Sequence, residues 1–458
     1  MRLQRTVCLL VLGGWLAAAA VRADGVRAWT DAQGRKVEAE LVGVKDGSAA
    51  LKLADGRVLP FEIVKLSAAD QEYVRSMEGK LSAAASLGLG SVLPPEKRVW
   101  PDAVEASRTA VEVKLLSSDE AARKYVYRSE AFEFTSQANL LPGLMKSVAQ
   151  TFEATRRLIS ALPWGITPRP PEGTQFYQAA LYETRNDYVA AGGPPNSGGV
   201  YMTREKIFKI PFQSLGIEKR GQSYTRSETY TADTLVHEIT HQLMHNYLNH
   251  LPTWVVEGTA EYAEMLPYNG GKFRVSGAES GFKEYLDSFK RRGINPSLPD
   301  LATFFHMPRS QWDAIATSGA TRMAELYQQS AVLVYFFNHL DGDGKGLGFM
   351  KFMDATRAQV IKWEVYEQEF ASYRLKMDEF FKLPGVERLE GGRFTYPRNL
   401  QPPEPPKSPD GKPLDEMVAM SNLEVLLNGR ALDLLQKELG DKMDNIVRGL
   451  QVRRLSGP

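Results

Sequence analysis

His237-Glu238-Ile239-Thr240-His241, followed closely by Trp254-Val255-Val256-Glu257-Gly258-Thr259-Ala260-Glu261-Tyr262, is the tightest constraint in this 458-residue chain. Two side chains four residues apart lie on nearly one face of a helix, separated by about 6 Å along its axis. Imidazoles so placed can reach a single zinc ion with bonds of about 2.0–2.1 Å. Glu238 sits roughly 100° around the same helix, beside the ion, where a carboxylate can take a proton from an attacking water. The segment must therefore be helical, and its ligand face must meet a second element that supplies a further donor. With six histidines in the chain, such a pentapeptide arises by accident in roughly one chain in two hundred of this composition. Accidental copies usually lack a helical context and a third ligand, and both are expected here.

Thr231 to Asn249 reads as the helix, with Thr231 or Asp233 as its N-cap. Leu235, Val236, Ile239, Leu243 and Tyr247 give it an apolar stripe at helical spacing, and Asn249-His250-Leu251-Pro252 breaks it. His245 extends the series by one more turn, but it stands about 12 Å from His237 along the axis, too far to share one ion. It reads as a surface residue or one that supports a ligand. Zinc peptidases with three histidine ligands need Gly and then His after the second ligand, and Met244 and Tyr247 occupy those places. Glu257 is the remaining candidate, on a second helix starting near Trp254. Glu261 lies one turn beyond it on the same face, placed to accept the free N–H of a ligand histidine or to serve as a plain surface carboxylate.

HEITH followed by WVVEGTAEY resembles the gluzincin zinc metallopeptidases, specifically the peptidase MA-like group. The resemblance implies that Glu257 is the third ligand and Glu238 the general base. Tyr327-Gln328-Gln329-Ser330, leading into Ala331 to Phe337, resembles the helix that follows the zinc site in that group. It makes Tyr327 a candidate to steady the oxyanion, against the alternative of a tyrosine that only packs between helices. The spacer from His241 to Glu257 is shorter than in the gluzincin aminopeptidases, so their subsites are not carried over. The likeness spans roughly residues 120 to 384 and is specific only at the zinc motif.

Composition is that of an ordinary globular chain, 43% apolar and 24% charged. A net charge of +1 argues against nucleic acid or an acidic membrane surface as the main partner. Arg2 and Arg5 precede the apolar stretch Val7 to Ala20, and Val21-Arg22-Ala23 offers a small-residue cleavage site, the pattern of an export signal over residues 1–23. The run is shorter than the roughly 18 residues a membrane span needs. Cys8, the one cysteine, lies inside that stretch. A mature chain without it has neither disulfides nor thiol ligands, so imidazole and carboxylate must hold any metal.

Residues 24–76 alternate as short strands. Arg27 to Thr30 and Val37 to Val44 are strand-like, Asp46-Gly47 and Asp55-Gly56 are turn dipeptides, and Leu66-Ser67-Ala68-Ala69-Asp70 starts a capped helix. The segment resembles the SLA1 homology domain 1, a small SH3-like barrel, which implies either a binding module or a structural cap. Residues 77–117 read as linker; Gly88 and Gly90 lack the context of a dinucleotide loop. The catalytic domain is expected over 118–384, with strands at Ala131 to Thr135 and Phe176 to Glu183 and a helix from Leu141 to Leu162. Val200 to Met202 and Lys206 to Pro211 form a hairpin, and Ala190 to Gly199 is either a flap or a surface turn. Lys206 to Pro211 is the candidate sheet-edge strand that pairs with an extended peptide, against the alternative of an ordinary interior strand.

Asp341-Gly342-Asp343-Gly344-Lys345-Gly346 starts like a calcium loop, but Lys345 takes a ligand place and Phe352 stands where a bidentate Glu belongs. It reads as a turn between helices. His306 and His339 lack metal spacing. A Pro-rich linker covers 385–413 and an amphipathic helical tail 414–458, which docks on the body or on a partner. The expected fold is α+β: a gluzincin-like domain with a mixed sheet and a mainly helical zinc subdomain, preceded by a small all-β barrel. The expected function is that of an exported zinc metallopeptidase acting on peptides or proteins. The rival is an exported scaffold that keeps the zinc fold and turns nothing over.

Overall fold

A computed structural model describes residues 27–45, 47–53, 57–74, 92–227, 230–389, 393–409 and 422–455. The chain forms two compact units that divide between Leu93 and Pro94. The proposed export signal and Cys8 lie outside the described residues.

The first unit is an antiparallel meander of β1 (Arg27–Thr30), β2 (Lys36–Lys45), β3 (Ser48–Leu53) and β4 (Val58–Glu62), closed by helix α1 at 68–74. Alternation puts Trp29, Ala39, Leu41 and Leu51 inside, with Leu66 and Val74 packed against them. Asp31 turns the first hairpin by accepting the backbone N–H groups of Gln33 and Arg35. Ser67 caps α1 through the backbone N–H of Asp70 at 3.2 Å. Asp70 in turn grips Arg27 at 2.6 Å.

The second unit is mixed α+β. Strand β5 (Ala103–Glu105) precedes β6 (Lys114–Asp119), β7 (Lys124–Arg128) and β8 (Phe132–Ser136), and helix α2 (Pro142–Ala161) follows. Then come β9 (Tyr177–Tyr182), α3 (Arg185–Ala190), β10 (Val200–Met202) and β11 (Ile207–Pro211). These build a six-stranded sheet in the order β10-β11-β9-β8-β7-β6, with β9 parallel to both β8 and β11. Phe152 of α2 docks on the sheet through Phe132, Phe134 and Phe208, at ring separations of 5.2, 5.0 and 5.7 Å. The hairpin β12 (Ile217–Arg220) and β13 (Ser223–Arg226) leads into α4 (Asp233–Leu243) and α5 (Thr253–Met265).

Beyond α5 the unit is mainly helical. Strands β14 (Tyr268–Asn269) and β15 (Lys272–Arg274) add to β5, and α6 (Ala278–Arg291) and β16 (Ser297–Pro299) follow. Short helices α7 (Leu301–Phe304) and α8 (Arg309–Thr317) precede α9 (Ala320–His339) and the long α10 (Leu347–Phe380). The hairpin β17 (Glu387–Arg388) and β18 (Phe394–Thr395) precedes the tail, which comprises α11 (Leu423–Leu427), α12 (Leu432–Asp444) and β19 (Gln451–Arg453).

Two expectations are corrected, and one alternative is decided. Lys206–Pro211 is not the sheet edge: β11 lies between β10 and β9, and the short β10 forms the rim. Phe208 to Pro211 are all buried, as an interior strand covered on both faces requires, whereas Lys206 turns the hairpin at φ 58°. The segment 94–117 is no linker: Arg98 grips Asp354 at 2.6 Å, and β5 pairs with β15. The tail belongs to the body of this unit, burying Leu423, Leu426, Leu435, Leu439, Met443 and Leu455, with β19 parallel to β16. The calcium-like turn is where it docks. Arg430 takes Asp341 at 2.6 Å, and the ammonium of Lys442 donates to the carbonyls of Leu340 and Gly342.

Candidate metal centre

Helix α4 begins at Asp233, with Ala232 at the N-cap position rather than Thr231 or Asp233. Leu235, Val236, Ile239 and Leu243 are buried, which turns His237 and His241 toward α5. Their Nε2 atoms lie 3.1 Å apart. Glu257, one turn into α5, places Oε2 3.4 Å from Nε2 of His237 and 3.3 Å from that of His241. Two neutral imidazoles cannot both donate to one another, and the Glu257 oxygen, although buried, accepts no well-formed hydrogen bond.

Three donor atoms about 3.3–3.4 Å apart are what a tetrahedral ion with bonds of about 2.0–2.1 Å demands. The triangle has that size, and its N, N, O donor set suits zinc. The charges agree. Burial pushes Glu257 up, but the two imidazoles overcome it and hold the carboxylate far below its ordinary range. Burial likewise pulls His237 down, and the carboxylates around it win, leaving it well above the ordinary histidine value. The three donors thus form a set that could hold a metal ion.

His237 is oriented from behind. Its Nδ1 lies 3.3 Å from Glu261 and also 3.3 Å from Glu264. Glu261 was foreseen as that partner and Glu264 was not. The signal was present, because residues 257, 261 and 264 follow the i, i+4, i+7 spacing of one helix face. Burial and the charge of Glu261 raise Glu264 to about 7. Burial, and then the charge of Glu261, hold the nearby Tyr285 phenol well above its ordinary value.

Glu238 is half-buried beside the triangle and coordinates nothing in it. Burial raises its pKa, opposed by the two imidazoles and by the backbone of Tyr201 on β10. Tyr327 of α9 lies with its ring 5.9 Å from that of His237 and 6.3 Å from that of Trp312. The charge of Glu257, and then burial, push its phenol up, so it stays a proton donor beside the triangle.

Gly258 explains how α9 comes so near. A Cβ there would stand 2.6 Å from the Ser330 carbonyl oxygen and 2.6 Å from Val334. Only glycine allows the two helices to cross at that point, and the crossing puts Tyr327 against the ligand set. His245 lies outside the triangle; its Nδ1 bonds the hydroxyl of Tyr201 at 2.8 Å. His306 is exposed, and His339 packs on Trp100 at 4.7 Å while bonding Tyr262.

Residues 19–81 match the family model of the SLA1 homology domain 1. The meander of the first unit is therefore such a module. No curated protein matches the chain in sequence.

Proposed function

We propose that the second unit is a zinc-dependent peptidase of the gluzincin type, exported by the N-terminal signal. The observation that carries this reading is the triangle of His237, His241 and Glu257, with edges of 3.1, 3.4 and 3.3 Å and a carboxylate left free beside it. Zinc bound there supplies a Lewis acid that makes water nucleophilic near neutral pH and polarises a carbonyl. Glu238 takes the proton of the attacking water and delivers it to the leaving amine, a task that its raised pKa suits. Tyr327 keeps its proton and donates toward the oxyanion, while Glu261 and Glu264 hold His237 in the tautomer that offers Nε2.

The substrate is an extended peptide. Strand β10 is at the sheet rim and packs on α4, the helix that carries His237 and His241. Pairing there through main-chain groups gives affinity with little dependence on side chains. The SLA1 homology module fits a second role, holding a protein partner. Among the described residues no helix is long and apolar enough to cross a membrane.

The test is cleavage of casein and of a peptide library by the metal-loaded protein, by a chelated sample and by Glu238→Gln. Chelation abolishes turnover and added zinc restores it. Glu238→Gln keeps one zinc per chain but loses about 10²–10⁴-fold in rate, the usual contribution of a positioned base. Turnover that survives both treatments rules this mechanism out. Stoichiometric zinc with no cleavage of any substrate favours the scaffold.

A further inference from the structure

The rim strand beside the metal centre has an unusual means of support. Strand β10 is three residues long and is paired on one side only, to β11. It emerges from a loop rich in Gly and Pro and ends at the left-handed turn of Lys206. Such a strand has few bonds of its own and opens readily. Yet the phenol of Tyr201, its central residue, bonds Nδ1 of His245 at 2.8 Å. The two rings meet edge-on at 5.7 Å and 86°, and Tyr201 is only 7% exposed. That contact joins the strand to the segment directly after α4. Gly198 adds close packing at the strand entrance, because a Cβ there would stand 2.8 Å from Thr234.

We propose that Tyr201 and His245 form an anchor that sets the distance between the rim strand and the metal helix, and so positions the main chain of an extended peptide over the metal centre. This rests on the peptidase reading for its consequence, though not for its geometry. Burial keeps the Tyr201 phenol protonated, and burial with Lys206 and Arg169 holds His245 neutral, at about 4. The bond therefore joins two uncharged groups. Tyr201 and His245 are positioning residues: neither belongs to the ligand triangle, and His245 acts on a substrate only through the strand.

The decisive experiment combines hydrogen exchange with kinetics in Tyr201→Phe, His245→Leu and His245→Asn, the last keeping an acceptor near the position of Nδ1. Tyr201→Phe and His245→Leu should speed exchange at residues 200–202 selectively and raise KM for peptides about tenfold, with kcat and zinc content within about twofold of wild type. The double variant Tyr201→Phe/His245→Leu should be no worse than either single one, because both remove the same bond. His245→Asn should sit near wild type. Unchanged exchange at 200–202, or a uniform rise over the whole unit with no excess there, overturns the anchor. If the wild type cleaves no peptide but the selective rise is seen, the peptidase reading falls and the anchor stands.

Discussion

Glu257 carries the most consequence of any single side chain here, because it is the donor that turns a histidine pair into a three-point site. Glu257→Ala should leave the two imidazoles with no third ligand and cut zinc affinity by far more than either supporting variant, as read by competition with a chromophoric chelator. Glu261→Gln and Glu264→Gln should each weaken zinc about 10–100-fold, the range for partners of a ligand histidine. Their effects should be less than additive, since both press on the same Nδ1. His339 gives a separate prediction, because burial lowers it from 6.5 to about 4. The unfolded chain takes up that proton first as pH falls, so folded stability is lost between about 6.5 and about 4. In chelator, urea unfolding of wild type relative to His339→Gln should lose about 1.4 kcal/mol per pH unit within that window. Most of the site's residues were legible in the sequence, since HExxH spacing fixes which atoms can converge on a helix face. Glu264 is not distinguished by spacing alone, because one carboxylate already satisfies the histidine Nδ1 and a local pattern does not show that two converge on it.

At the scale of elements, the crossing of α5 and α9 is the arrangement on which the site depends. Gly258→Ala must push Ser330 or Val334 away, and overpacking of this kind costs about 1–3 kcal/mol. We expect a lower urea midpoint and, on the peptidase reading, slower turnover with zinc binding retained, because Glu257 can still reach an ion while Tyr327 is displaced. Retention of full activity by Gly258→Ala would show that the crossing has slack. The helices α2 and α4 were readable from their apolar stripes, and α2 and α5 each have a Pro near the start. The rim strand was misread for a physical reason. Both limbs of the hairpin are apolar and short, and periodicity says nothing about which limb pairs onward to β9.

For the molecule as a whole, the C-terminal tail is structural rather than appended. Six of its apolar side chains are buried, and each fully buried one contributes about 1.5–3 kcal/mol. Removing residues 410–458 should therefore destabilise the second unit by several kcal/mol at least, with a lowered melting temperature by calorimetry. An unchanged melting temperature would contradict the docking of α11, α12 and β19. The sequence by itself determined the chemistry on offer: two imidazoles, a base and carboxylates at helical spacing, without thiols after residue 8. It also determined the alternation of the first unit, because periods of 2.0 and 3.6 are local properties of the backbone. Only the tertiary structure decided which strand is the rim, that residues 94–117 and the tail belong to the second unit, and that Tyr201 meets His245. Those pairings join residues far apart along the chain, and they are set by which surfaces fit once the helices are packed, which no local pattern records.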